Sequence, residues 1–254
     1  MSGWPAGTGL RVLDSIDSTN EEAGRLSLAG ETGPIWIAAR RQLAGRDRMG
    51  RPWSTAPGNL AATLLLPFRG TPAEAARLGF PASLAVVDLL DRFAPGVPVA
   101  LKWPNDVLLA GRKASGILLE NFGPGPDGRL RLAIGIGVNL AHYPQPGETR
   151  WPATSVAAET GAAPDFDAAL TELAARFDPW LAVLARDGFD AVRTAWLARA
   201  DRLGQPIEAR LPRGTLAGRF AEIDADGALV LETADGTRRI AAGEVHWPVN
   251  GEAG

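Results

Sequence analysis

Missing residue types narrow the chemistry open to this chain. The 254 residues contain no cysteine, which excludes disulfide bonds, thiolate metal sites and a cysteine nucleophile. The two histidines, His142 and His246, have no second metal-binding side chain at ligand spacing, so we expect no zinc site. The net charge of −3 provides no overall field that would attract nucleic acid.

Long hydrophobic runs are missing as well. No apolar stretch approaches the roughly 18 residues that a membrane span requires. The start of the chain, MSGWPAGTGL, lacks the basic and apolar regions of a signal peptide, and no helix-turn-helix segment precedes Leu10. We therefore expect a soluble, cytoplasmic protein with no membrane or nucleic-acid partner.

Lysine is nearly absent too. Of 26 lysines and arginines, only Lys102 and Lys113 are lysines, and both lie in residues 99–120, where two short apolar runs around an Ala-Gly-Arg turn predict a β-hairpin. An ammonium is a compact charge that the planar fork of arginine cannot replace in a tight site. Asn105 and Asp106 lie between the lysines. Such a group suits a phosphorylated ligand with a metal ion, whereas the alternative is a surface hairpin with incidental charges.

Arginine, by contrast, is concentrated in one loop. Residues 40–53 hold five arginines, two glycines and a closing tryptophan, Trp53. Guanidinium groups bind phosphate or carboxylate through paired hydrogen bonds, and Trp53 can stack on a planar ring. The glycines predict a mobile loop. A solvated basic loop and a nucleic-acid contact are the alternatives.

Two further segments place polar or small residues at strand ends. A strand at residues 10–16 precedes Ser18 and Thr19, which either form a capping box with Glu21 or Glu22 or offer hydroxyls to a small polar ligand. The strand at residues 130–140 carries alternate glycines, which allow close approach of a flat ligand.

The remaining pattern predicts an α+β protein. Strands are predicted at residues 35–39 and 59–68, and helices at 71–93, 154–161, 165–186 and 189–200. From about Leu203 short strands separated by Asp-Gly turns predict a small β-barrel, with a boundary near residues 201–204.

Four motifs in this order resemble those of the biotin–protein ligase family. The motifs are Ser-Thr-Asn at 18–20, the Gly/Arg loop at 42–53, KWPND at 102–106 with K-x-x-G at 113–116, and GxGxN at 135–139. KWPND with its K-x-x-G partner is the most specific. The resemblance covers roughly residues 12–247. It implies a mixed-sheet catalytic domain of the biotin/lipoate ligase type with helices packed on it, residues 1–202, and an SH3-like C-terminal domain, residues 203–254.

The resemblance also implies an activity. ATP with Mg²⁺ activates biotin as biotinyl-5′-AMP, and the biotinyl group then passes to a lysine of a biotin carboxyl carrier protein. The enzyme would be a monomer or a homodimer. The lack of a helix-turn-helix segment argues against repressor activity.

Site residues follow by the same resemblance. The implied catalytic residues are Lys113, Arg48 and Asp106, and Asp106 is also the implied Mg²⁺ contact. The implied biotin-binding residues are Ser18, Thr19, Asn20, Gln42, Gly45, Arg46, Lys113 and Gly116. The implied ATP- and adenylate-binding residues are Arg46, Arg48, Trp53, Lys102, Asn105, Asp106, Lys113, Gly135 and Asn139.

The loop departs from the family pattern at two positions. The family's GRGRRGR is GRDRMGR here, with Asp47 in place of Gly and Met49 in place of Arg. We hypothesise that Asp47 pairs with Arg46 or Arg48 in the ligand-free protein and weakens retention of the adenylate. An Asp47→Gly variant would then release biotinyl-AMP more slowly.

Two rival functions stay open at this point. A lipoate or octanoate ligase shares the fold, but the octanoyl transferases use a cysteine nucleophile and this chain has none. A non-catalytic ligand-binding module could use the arginine loop and the barrel, but the acidic balance and the lack of interleaved aromatic residues on the barrel strands disfavour nucleic acid as its ligand.

Overall fold

A seven-stranded mixed sheet organises most of the chain. The computed structural model describes residues 3–246 except 54, 146, 150, 212 and 213. The strands of this sheet are β1 (Gly9–Leu13), β2 (Ile35–Ala39), β3 (Leu60–Phe68), β4 (Val99–Lys102), β5 (Asp106–Leu109), β6 (Arg112–Pro124) and β7 (Leu130–Val138). Their order is β1-β2-β3-β7-β6-β5-β4, with β1 parallel to β2 and the other pairs antiparallel. The predicted mixed-sheet α+β class is confirmed.

Helices cover both faces of this sheet. They are α1 (Thr19–Leu28), α2 (Pro72–Ala76), α3 (Gly79–Phe93), α4 (Val156–Thr160), α5 (Phe166–Asp187) and α6 (Phe189–Leu197). The main core lies where α3, α5 and α6 meet the sheet, with Phe80 packed edge-on against Trp196. A smaller apolar cluster joins Ala23 of α1 to Ile37 of β2. No helix in the described part of the chain is long and apolar enough to cross a membrane.

The single helix predicted at residues 71–93 is wrong. Two helices occupy this stretch, and α2 ends before Arg77. Pro81 lies in the first turn of α3, where a missing N–H costs nothing, whereas in the middle of a longer helix it would break a hydrogen bond. The predicted capping box between Thr71 and Glu74 is present at the start of α2.

A second, antiparallel sheet follows α6. Its strands are β8 (Pro206–Leu211), β9 (Gly214–Ile223), β10 (Leu229–Thr233), β11 (Gly236–Ile240) and β12 (Glu244–His246), in the order β11-β10-β9-β8-β12. The predicted small β-rich, SH3-like unit is confirmed, but its strands do not close into a barrel, because within the described residues β11 and β12 form opposite edges and do not pair. The three residues of β12 were too short a run to predict. The domain boundary between residues 202 and 203 stays a prediction.

The second sheet packs on the first through an Asp-Gly turn. The Trp103 indole N–H donates to the Gly227 carbonyl at 3.1 Å. A Cβ on Gly227 would come within 2.9 Å of the Phe80 ring, so only glycine fits this contact. Arg77 pairs with Asp226 at 2.9 Å beside it. This contact brings β12 to the edge of the cavity described next.

Candidate active site

Lys102, Asp106 and Lys113 form an ion-pair cluster on three neighbouring strands. Asp106 opens β5 opposite Lys102 of β4, and Lys113 comes from β6. Lys113 Nζ lies 2.6 Å from Asp106 Oδ1, and Lys102 Nζ lies 3.5 Å from Asp106 Oδ2. The predicted hairpin turn is confirmed: Ala110 and Gly111 both have positive φ, as in a type I′ turn.

Burial and charge act against each other in this cluster. The exposed fractions of the side chains are 6% for Lys102, 12% for Asp106 and 19% for Lys113. Burial lowers the pKa of Lys102, because desolvation penalises the ammonium. Burial alone would raise the pKa of Asp106, but Lys113 and Lys102 outweigh it and hold this pKa below its usual value. With both lysines protonated, the cluster has one surplus positive charge for an anionic ligand.

Thr19 is fixed by a glutamine from the arginine loop. Gln42 Oε1 accepts hydrogen bonds from the Thr19 backbone N–H at 2.8 Å and from its hydroxyl at 3.0 Å. Ser18 is the N-cap residue of α1, but its side chain makes no capping hydrogen bond. The predicted capping box is therefore wrong here, since Glu22 pairs with Arg25 instead. Both hydroxyls lie at a cavity wall.

Asn20 is held by protein groups on every side. Its Oδ1 accepts from the Thr63 hydroxyl at 2.7 Å, and its Nδ2 donates to Glu120 Oε2 at 2.7 Å and to the Leu118 carbonyl at 3.3 Å. Its amide reaches across β7 only because residue 135 is glycine: a Cβ there would lie 2.2 Å from Asn20 Oδ1. The alternate glycines of β7 thus have a packing reason.

Trp53 lies against the other glycines of this face. A Cβ on Gly137 would be 2.4 Å from Trp53 Nε1, and one on Gly116 would be 3.3 Å from the ring. Lys113 Nζ lies 5.4 Å from the centre of the same ring. Trp53 therefore packs against the glycine surface beside the lysine.

Arg46, Arg48 and Arg51 of the loop have different partners. Arg46 pairs with Glu120 at 2.8 Å and with Glu21. These hydrogen bonds raise the pKa of Arg46. Arg48 donates to the Gly243 carbonyl of the second sheet. Asp47 pairs with Arg51 at 2.7 Å, so the hypothesis that it pairs with Arg46 or Arg48 is wrong.

Two cavities meet at Lys113. The smaller, about 40 Å³, is lined by the Ser18 and Thr19 hydroxyls and by Trp53, which lies across it. Its other predicted site residues are Asn20, Gln42, Arg46, Asn105, Gly116 and Gly135. The larger, about 420 Å³, is lined by Arg48, Trp53, Lys102, Asn105, Asp106 and Asn139. Lys113 lines both.

Gly45 lies behind the smaller cavity. It is buried, and a Cβ there would come within 2.7 Å of the Trp53 carbonyl and 2.8 Å of Gln42 Nε2. The side-chain amide of Asn105 donates a hydrogen bond to the Ile117 carbonyl, and that of Asn139 donates to the Thr154 carbonyl. Asn105 and Asn139 line the cavities, whereas the predicted biotin-binding residue Gly45 lines neither.

Asp106 does not fit the role of a resident metal ligand. Both of its carboxylate oxygens already face lysines. In addition, no group of three or more His, Cys, Asp or Glu side chains suited to a metal ion occurs among the residues that the structure describes. A metal ion here would need most of its ligands from a bound substrate.

Family models match both parts of the chain. Residues 12–139 match the biotin/lipoate A/B protein ligase family, and residues 203–246 match the C-terminal domain of biotin protein ligases. The chain belongs to the biotin protein ligase family. The biotin–[acetyl-CoA-carboxylase] ligase of Paracoccus denitrificans is 48% identical over 92% of this chain and 98% of its own length.

More distant relatives are less similar in sequence but still match most of this chain. The bifunctional ligase/repressor BirA of Bacillus subtilis is 31% identical over 91% of this chain and 72% of its own length. The fold is also similar to that of the biotin protein ligase from Aquifex aeolicus in complex with biotin and ATP. The TM-score is 0.78 with 28% sequence identity, over 94% of this chain and 97% of that one.

The family motifs do not include every residue that lines the larger cavity. Trp151, Glu244 and His246 line it as well. Lys102 Nζ lies 4.5 Å from the centre of the Trp151 ring, within cation–π range. Trp151 gave only a weak sequence signal, a lone aromatic residue in a Pro- and Gly-containing loop. Glu244 and His246 gave none, because their position at the cavity depends on how the second sheet docks.

Proposed function

We propose that this chain is an ATP-dependent ligase that activates biotin as biotinyl-5′-AMP and transfers the biotinyl group to a lysine of a biotin carboxyl carrier protein. One observation supports it most strongly: a single ammonium, that of Lys113, borders both cavities. A carboxylate held in the smaller cavity and a nucleotide phosphate held in the larger one would meet at this group. Family membership supports the choice of biotin and ATP.

In the first step an oxygen of the biotin carboxylate attacks the α-phosphorus of ATP. The new bond joins this oxygen to phosphorus, the bond between the α- and β-phosphates breaks, and pyrophosphate leaves. Both reactants are anionic, so bringing them together costs electrostatic energy that nearby cations offset. Lys113 supplies this charge at the junction, while Asp106 keeps its ammonium in place.

Arg48 and Lys102 act on the nucleotide side. Both line the larger cavity, where their charges stabilise the triphosphate and the departing pyrophosphate. Trp151 offers a ring face for the adenine base. On the other side, Ser18 and Thr19 supply hydroxyls for the polar head group of biotin. Trp53 must move off Gly137 to admit it, because the smaller cavity holds only about 40 Å³.

In the second step a carrier lysine attacks the acyl carbon of biotinyl-AMP. An amide bond forms, the acyl–phosphate bond breaks, and AMP leaves with the bonding electrons. The incoming amine must lose a proton, and Asp106 is the ionised carboxylate nearest to Lys113. We propose that Asp106 attracts the incoming lysine ammonium, which passes one proton to water so that the neutral amine can attack. The nitrogen loses its second proton to water as AMP departs.

The remaining assignments are also proposals. Mg²⁺ would enter with the triphosphate, which would supply most of its ligands, and would neutralise phosphate charge. A cytoplasmic location fits a chain that uses ATP and modifies a carboxylase subunit. Whether the enzyme is a monomer or a homodimer stays a prediction.

Mass spectrometry tests the proposed activity directly. The protein is incubated with ATP, Mg²⁺ and either biotin, lipoate or octanoate, and the acyl-AMP product is measured. We expect biotinyl-AMP alone. Lipoyl-AMP or octanoyl-AMP would overturn the substrate and favour the rival ligase, and no adenylate with any acid would favour the non-catalytic binding module.

A further inference from the structure

The arginine loop folds into a hairpin closed by backbone contacts. Single bridges join Gln42 to Thr55 and Arg46 to Pro52 across it. The Trp53 N–H donates to the Gly45 carbonyl at 2.8 Å. The two sides of the hairpin are therefore held together from the base almost to the tip.

Asp47 closes the tip of this hairpin. Its backbone N–H donates to the Arg51 carbonyl at 2.8 Å. Its Oδ1 accepts the backbone N–H groups of Met49 at 2.8 Å and Arg51 at 3.0 Å, while its Oδ2 accepts Arg51 Nε at 2.7 Å. Only 14% of the Asp47 side chain is exposed. A glycine here would lose all three of the side-chain contacts.

The tip is also tied to the second sheet. Arg51 Nη2 donates to Glu244 Oε1 at 2.5 Å, and Arg48 donates to the neighbouring Gly243 carbonyl. Asp47, Arg48, Arg51 and Glu244 all line the larger cavity. The line of contacts Asp47–Arg51–Glu244 therefore runs along one wall of the proposed nucleotide site.

We infer that Asp47 is a positioning residue that fixes the arginine hairpin over both cavities before any ligand arrives. The inference rests on the proposed function for its kinetic consequence. Two carboxylates, Asp47 and Glu244, hold Arg51 in place, and Arg48 lies beside them at the wall of the proposed nucleotide cavity. A loop that is ordered in advance pays less conformational entropy on binding, and it keeps water from a reactive acyl phosphate.

This arrangement reverses the sign of the earlier hypothesis. Asp47 does not compete for the arginines proposed to bind phosphate, because in the part of the chain that the structure describes its carboxylate pairs with Arg51. Removing it should open the hairpin and release biotinyl-AMP faster. Asp47→Gly removes all the side-chain contacts, whereas Asp47→Asn keeps an oxygen for the backbone N–H groups and loses the ion pair.

Asp127 provides a matched control. Its Oδ1 accepts the backbone N–H of the residue two positions on, Arg129, and it pairs with the arginine four positions on, Arg131. Asp47 has the same local pattern with Met49 and Arg51, but Asp127 lines neither cavity. Asp127→Gly therefore reproduces the loss of a turn-closing aspartate away from the site.

Amide hydrogen exchange of the ligand-free protein, followed by NMR, tests the structural part without any need for activity. We expect the Met49 and Arg51 amides to exchange at least about tenfold faster in Asp47→Gly than in the wild type, and to be unchanged in Asp127→Gly. Equal exchange in wild type and Asp47→Gly would overturn the inference, whether or not the chain makes biotinyl-AMP.

The release rate of preformed biotinyl-AMP tests the kinetic part. We expect about tenfold faster release from Asp47→Gly, equivalent to about 1.4 kcal/mol, a smaller increase from Asp47→Asn, and the wild-type rate from Asp127→Gly. Unchanged or slower release from both Asp47 variants would contradict the inference. If the wild type forms no biotinyl-AMP, the proposed function is wrong. The hydrogen-exchange result alone then tests whether Asp47 fixes the hairpin.

Discussion

At the scale of single residues, Lys102 is a cation that the fold keeps almost out of water. The Asp106 carboxylate lies 3.5 Å from its ammonium and also binds Lys113 at 2.6 Å. Burying charges is expensive unless they are paired, and removal of one partner leaves an uncompensated charge. Asp106 thus supports two lysines at once, which suits a residue whose task is to hold them ready for anions.

An Asp106→Asn substitution should expose this dependence. We expect a loss of about 3 kcal/mol in the free energy of unfolding, measured by urea denaturation, because two lysines lose their shared carboxylate. Adding Lys102→Met removes the buried cation and should restore part of the stability without restoring biotinyl-AMP formation. Equal stability of wild type and Asp106→Asn would show that the cluster is already solvated.

The residues of this cluster could be predicted from the sequence, but their arrangement in space could not. The scarcity of lysine singled out both Lys102 and Lys113. Which of them borders both cavities depends on the stagger between β5 and β6, where a bulge lies between Val107 and Leu108. The partner of Asp47 was predicted wrongly because the hairpin returns Arg51, four residues on, to its side chain.

At the scale of elements, two glycines of β7 leave room for side chains that pack against this strand from other segments. Gly135 admits the Asn20 amide and Gly137 admits the Trp53 ring. The strand itself was predicted well from its apolar run. That its glycines receive side chains from α1 and the arginine loop could not be predicted, because those contacts join segments more than eighty residues apart.

Gly135→Ala should disturb the biotin side of the site. The new Cβ would lie 2.2 Å from Asn20 Oδ1, so Asn20 must shift and its hydrogen bonds to Thr63 and Glu120 weaken. We expect the KM for biotin to rise about tenfold and stability to fall by about 2 kcal/mol. Gly79→Ala is the control, since its Cβ meets nothing and alanine suits a helix. A KM unchanged by Gly135→Ala would show that Asn20 does not shape this cavity.

At the scale of the whole molecule, the second sheet contributes β12 to the wall of the larger cavity. Glu244 braces the arginine hairpin, and His246 lines the cavity beside Trp151. The change near Leu203 to short strands separated by Asp-Gly turns predicted the strands of the second sheet. The open sheet and its contribution to the cavity could not be predicted, because both depend on the docking of Gly227 against Trp103 and Phe80.

This docking makes stability depend on pH through His246. Burial, together with Arg210 and Lys102, lowers the pKa of His246 in the folded protein, and Glu244 and Glu208 offset this only in part. The unfolded chain then binds the proton more readily, so the contribution to stability is present above about pH 6.5 and is lost on acidification. Between pH 7.5 and 5.5 the wild type should lose more unfolding free energy than His246→Gln. The prediction is contradicted if the unfolding free energy of the wild type minus that of His246→Gln stays constant or rises as the pH falls from 7.5 to 5.5.

The most direct measurement for the whole account is the single-turnover rate of biotinyl-AMP formation in Lys113→Gln. This ammonium is proposed to lie between the biotin carboxylate and the α-phosphate, so the rate should fall by about 10²–10³-fold. Arg219→Gln, which removes an exposed cation paired with Glu232 in the second sheet, should keep the wild-type rate. A wild-type rate in Lys113→Gln would contradict the claim that the two cavities meet at the reacting atoms.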